Sequence, residues 1–200
     1  MNFIRKALVG LVFLTLSIAA YAADGVDCAD GMGGFLPVDN SPVLQWKRST
    51  KNQFLSRSNI SGTILKVLEN RNGHVHFIAK IGSVVNAGDL CNSDTIEVVY
   101  NVEFGVVNSR DLKEGAPVQA CGDYITSTQP TERYQASPAC GIIHWVHQNL
   151  RASSSHADGF MRINGNLYGF LPTEKAKHDA EKHDQKKDNE SKPKPRRDRR

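Results

Sequence analysis

Residues 61–81 read SGTILKVLENRNGHVHFIAKI, and the reading of this stretch decides the fold. From Ile60 onward apolar and polar residues alternate with period two, the pattern of a half-buried strand. Asn70-Arg71-Asn72-Gly73 interrupts it with an Asn-Gly pair, which hairpins favour because both central residues must take positive φ. HVHFIAKI then returns as the partner strand.

Working outward, a Gly-containing loop at 82–92 leads to TIEVVYNVEF (95–104), a third strand. RDLKEGAPV introduces a fourth, QACGDYITS (119–127). A polar insert, TQPTERYQASPA, precedes a fifth, CGIIHWVHQ (140–148). GFMRINGNLYGF closes the series as a hairpin turning at Asn164-Gly165. Upstream, Val43, Leu44, Trp46, Phe54 and Leu55 recur at roughly helical spacing across 43–58, which predicts one short helix. Residues 23–41 form an irregular lead-in. Their GMGG at 31–34 follows no strand and lacks the lysine of a phosphate-binding loop. The fold expected is mainly β: a small OB-like Greek-key barrel over residues 42–172 with one short N-terminal helix. Leu112, Gly115, Val118 and Gly122 carry the phrase that introduces the fourth strand of such barrels.

The two ends differ from this body. Arg5 and Lys6 precede an apolar run, Ala7 to Ala20, and Ala20-Tyr21-Ala22 suits a signal peptidase. Residues 1–22 therefore read as a signal peptide, and the mature protein as exported, periplasmic or extracellular. Residues 173–200 hold eleven Lys/Arg and seven Asp/Glu and no large apolar residue. Such a segment buries too little to offset the entropy of ordering, so a disordered tail is expected. Its cationic end, Lys192, Lys194, Arg196, Arg197, Arg199 and Arg200, suits an anionic partner such as lipid or nucleic acid. The body from 23 to 172 has twelve basic and fourteen acidic residues. A barrel of that sign does not suit gripping a phosphate backbone.

Cys28, Cys91, Cys121 and Cys140 make an even count, which in an exported chain implies two disulfides. No pair has the Cys-x-x-Cys spacing of a zinc site. Placing the Cys91 loop at the barrel end where the fourth strand begins gives Cys91–Cys121 and leaves Cys28–Cys140.

The candidate chemistry lies in the histidines. His74 and His76 share a strand face, whereas His144 and His147 differ by an odd number and fall on opposite faces of a regular strand. Parity sends His144 inward with Ile142 and Val146, beside Tyr124 or Asn101, and Trp145 outward with His147. Only a bulge brings both imidazoles to one side. Three roles stand open: a core histidine with surface neighbours; a recognition patch of Trp145, His147, Asn149 and His156; or a divalent metal such as zinc on His74, His147 and His156, with Glu103 or Asp158 as general base.

The order Gly62-Thr63-Ile64, Gly73-His74, Phe77-Ile78, Asn101, Glu103, Gly115, Gly122, Tyr124, GIIHWVHQN and HADGF resembles a family of small exported bacterial proteins. Its domain has no assigned function. The family's phrase is similar to His-Trp-x-His-His-Asp followed by His-x-x-Gly-Trp. Here Gln148, Asn149 and Phe160 depart from it, and Asn149 removes a carboxylate. The resemblance implies a shared fold and brings no activity. The residues favour an exported, monomeric binding protein of unknown ligand, working through 144–160 and tethered by its basic tail. The alternative is a secreted metal-dependent hydrolase, phosphodiesterase- or nuclease-like, using His74, His147 and His156.

Overall fold

In the computed structural model the alternation around Asn72-Gly73 becomes the first hairpin of a closed barrel; residues 25–132, 134–150 and 156–171 are described. Both turn residues are left-handed, at φ 50° and 75°, as the turn requires. Strand β1 (Leu55–Val67) pairs antiparallel with β2 (His74–Lys80), and β2 with β3 (Thr95–Asn101). A 3-10 turn, Val102–Phe104, ends β3. Strand β4 (Pro117–Thr126) runs antiparallel to the first half of β1. Strand β5 (Gly141–His144) lies between β3 and β4, parallel to the first and antiparallel to the second. The ring β1-β2-β3-β5-β4-β1 is the closed five-stranded, OB-like Greek-key barrel expected.

Closure rests on β1 changing partners. Residues 55–63 pair with β4 and residues 63–67 with β2, across a bulge between Ile64 and Lys66. Gly62 sits at the changeover, where a Cβ would lie 2.0 Å from the Lys80 carbonyl oxygen. No side chain fits there. Inside, alternate residues of each strand meet: Val75, Phe77, Ile96, Val98, Tyr100, Tyr124 and Ile143 are buried together. Burying each large apolar side chain contributes roughly 1.5–3 kcal/mol.

The helix is shorter than its spacing predicts. It covers Ser41–Ser49 and stops where Thr50 turns extended and its N–H returns to the Trp46 carbonyl. Phe54 and Leu55 belong to the approach and start of β1, with Phe54 against Trp46. The helix is pinned by Lys47, whose ammonium donates to the carbonyls of Leu90, Ser93 and Thr95 at 2.8, 2.7 and 2.7 Å. Burial pulls its pKa down to about 8.

The cysteines pair as Cys28–Cys121 and Cys91–Cys140, which corrects both expected bonds, Cys91–Cys121 and Cys28–Cys140. The reason is the direction of β5. Because β3 and β5 are parallel, both begin at one barrel end, so Cys91, before β3, meets Cys140, before β5. The β2–β3 loop therefore lies where β4 finishes, not where it begins. Cys121, in mid-β4, is left for the lead-in. Cys28 and Cys121 bury with Phe160 beneath Val26, Leu36, Leu167 and Phe170, a second core outside the barrel. Each bond stabilises by roughly 2–4 kcal/mol through its restraint on the unfolded chain. Two disulfides fit an oxidising, exported setting.

Strands β6 (Phe160–Ile163) and β7 (Asn166–Tyr168) form the last hairpin, turning at Asn164-Gly165. β6 pairs with β4 on the same edge as β5. Among the described residues no helix is long and apolar enough to cross a membrane. The expected signal peptide (1–22) and tail (173–200) lie outside the described residues.

If the β1 changeover controls closure, Gly62→Ala lowers unfolding free energy by roughly 2–3 kcal/mol in urea denaturation, through overpacking against backbone. Gly73→Ala, with nothing near its Cβ, costs less despite its positive φ.

Candidate functional site

The chain leaves the β4 edge after His144, opposite Asp123, and rejoins it at Phe160, opposite Cys121. The excursion 145–159 is thus anchored at both ends within two residues of β4. Its course begins with Trp145, which takes a left-handed φ of 51°. For a bulky residue this conformation costs roughly 1–2 kcal/mol. It ends β5 and breaks the face parity.

The parity expectation is corrected here in two ways. Ile143, not His144, fills the barrel, and His144 lies half-buried on the outer face with Ile142. The kink then returns Val146 to the core and leaves Trp145 beside His144, their ring centres 4.9 Å apart. Neither expected neighbour bonds His144. The Tyr124 hydroxyl accepts from Thr126, and the Asn101 side chain accepts from the Glu103 N–H.

From this kink a band of rings extends both ways. Toward β2, His144 lies 5.9 Å from His74, and His74 lies 6.3 Å from His76. The other way, Trp145 stacks on His156 at 5.4 Å and 5°. His156 meets His147 edge-on at 5.5 Å, and His147 stacks on Phe104 at 3.9 Å. All five histidines of residues 23–172 are in this band, and odd spacing does not separate His144 from His147. Glycine permits the close approach. A Cβ on Gly159 would fall 2.1 Å from the Trp145 carbonyl oxygen, and the Gly159 N–H donates to the His147 carbonyl at 2.8 Å. A Cβ on Gly122 would lie 2.4 Å from the His144 carbonyl oxygen, so the fourth-strand glycine phrase also seats β5.

Hydrogen bonds orient the rings. Nδ1 of His74, His147 and His156 lies 2.9, 2.8 and 3.1 Å from the carbonyls of Asn72, Gln148 and Ala157. His76 Nδ1 lies 2.8 Å from Glu97 Oε1, a buried acid on β3. Burial pulls the His144 pKa down to about 3, with smaller contributions from His74, His147, His156 and His76. Burial also lowers that of His147. Charge is therefore disfavoured at the centre of the band.

The other candidates have structural duties. Asp158 accepts from the Asn149 N–H at 2.6 Å, and its carbonyl accepts from Arg57. Asn149 donates to the His156 carbonyl at 2.6 Å. Both brace the loop. Glu103 lies within the 3-10 turn, its carboxylate accepting from the Asn101 amide, and is close enough to His147 to act on its charge. Arg57 ties the assembly together, pairing with Asp123 at 2.9 Å and donating to Ala29 in the lead-in. Phe104, Glu97, Gly122 and Arg57 were not singled out as site residues. Glu97, an acid within a buried strand, and Gly122, in the fourth-strand phrase, carry a visible signal; Phe104 and Arg57 carry none. Among the described residues no three His, Cys, Asp or Glu side chains converge at metal-ligating separation. The expected triad of His74, His147 and His156 thus brings only its last two rings together directly.

A separate cleft of about 600 Å³, lined by Thr63, Lys80, Gln119 and Arg162 among others, holds none of the band. No protein-family model, curated protein or solved structure matches this chain.

The sign of the pH dependence follows from His144. The unfolded chain takes up this proton below about pH 6.5, and the folded protein resists it until about 3. Stability therefore falls as pH drops through that window, by at most about 1.4 kcal/mol per unit. Urea unfolding between pH 6.5 and 4.5, above the main carboxylate range, shows a clear slope in the native protein and a shallower one in His144→Leu.

Proposed function

We propose that this is an exported binding protein whose working surface is the ring band from His76 through His144 and Trp145 to Phe104. One observation carries the reading. Rings from β2, the β3 exit, the β5 exit and the returning loop are assembled into one half-buried surface, and an unfavourable Trp145 conformation is maintained to do so. Core packing does not call for imidazoles side by side at the surface. Ligand sites do: aromatic walls with a few oriented polar atoms. The band also includes the β2–β3 side that OB barrels use for recognition. A hydrolase reading has less support, because the Asp158 carboxylate accepts from the Asn149 N–H and the Glu103 carboxylate from the Asn101 amide. The cationic tail adds a tether to anionic surfaces.

The test is an NMR screen of the chain from Ala23 onward against short oligosaccharides and planar heteroaromatic fragments. Shifts are expected at the Trp145 indole N–H and at residues 97–104, and should vanish in Trp145→Ala. Hits confined to the Lys80/Arg162 cleft, or none, overturn the reading. For the tether, cosedimentation with phosphatidylglycerol vesicles disappears when residues 173–200 are removed and when salt is raised; binding that survives both refutes it.

A further inference from the structure

The hydrogen bonds of the band fix where its lone pairs are. A carbonyl oxygen can only accept, so Nδ1 of His147 and of His156 must carry the proton, at 2.8 Å from the Gln148 oxygen and 3.1 Å from the Ala157 oxygen. In the neutral ring the other nitrogen, Nε2, is then unprotonated. Metal-binding histidines are held in this way, with the non-ligating nitrogen donating to a carbonyl or carboxylate. One face of each ring is also buttressed, His147 by Phe104 at 3.9 Å and His156 by Trp145 at 5.4 Å. The two imidazoles meet edge-on with centres 5.5 Å apart. An ion bonded to two imidazole nitrogens at about 2.1 Å keeps the ring centres about 5 to 6 Å apart.

We infer that Nε2 of His147 and Nε2 of His156 form a seat for one borderline divalent ion of the zinc, copper or nickel class. This deepens the binding reading and rests on it. Imidazole donors select that class over magnesium or calcium, which prefer oxygen ligands. No third His, Cys, Asp or Glu among the described residues stands at ligating separation, so the ion keeps open positions for water or for a donor brought by a ligand. His74 is a further imidazole in electrostatic reach of His147. Its Nδ1 is occupied by a carbonyl in the same manner, at 2.9 Å.

The test titrates Zn²⁺ and Cu²⁺ into the untagged chain from Ala23 onward, with calorimetry for zinc and the nitrogen hyperfine pattern for copper. One ion per chain is expected. His147→Gln and His156→Gln should each weaken it by at least about tenfold, while a His178→Gln/His183→Gln variant of the tail binds normally. A second measurement needs no substitution: ring ¹⁵N spectra of the native protein should show stoichiometric zinc moving Nε2 of His147 and His156 and leaving their Nδ1 protonated. Affinity kept in both glutamine variants, or Nε2 resonances that stay still, overturns the inference. If zinc leaves those nitrogens unmoved while fragments still shift the band, the metal seat falls and the binding reading stands. If neither perturbs the band, both fall.

Discussion

Strand β5 is four residues long and has two neighbours, β3 in parallel and β4 antiparallel. Everything distinctive about this molecule depends on its keeping both. The parallel contact closes the barrel. It also carries Cys140 to Cys91, because parallel strands start at one end, and lays His144 across from the β2 histidines. The antiparallel contact positions the exit of β5 two residues from the entry of β6 on the same edge. The intervening loop must therefore fold back against the barrel wall.

That folding back is local chemistry under tight restraint. Trp145 turns left-handed, Gly159 lets two backbone segments touch, and Arg57 links lead-in, β4 and loop. The Cys28–Cys121 bond and its small apolar cluster lie under the same region. Among the described residues of the loop, 145–150 and 156–159, this support holds the side chains of Trp145, His147 and His156 against one another. The imidazoles are oriented by that support, Nδ1 of His74, His147 and His156 toward carbonyls and that of His76 toward Glu97.

Much of this was legible in the chain. Period-two alternation, two Asn-Gly turns and the Leu112–Gly122 phrase specify strands and hairpins through local sterics, and the barrel follows from their number and order. The recurrence of Trp and His across 144–160 was legible, and the structure brings those rings into contact. What failed was parity. Alternation holds within β5, but Ile143 rather than Ile142 takes the inward face, so His144 is outside; past His144 the positive φ of Trp145 cancels it. The disulfides failed for a related reason: pairing depends on which strands run parallel, and cysteine spacing does not report direction.

By itself, then, the sequence determined the elements: which segments extend, where they turn, which faces are apolar, and that four cysteines accompany a leader-like start. Those properties arise between residues a few positions apart. Only the tertiary structure decided that five histidines scattered from 74 to 156 form one band, which cysteines meet, and that Asp158 and Asn149 brace the loop. These are contacts between distant segments. They are selected by the closure of the sheet and by glycines that admit another backbone, and no local pattern encodes them.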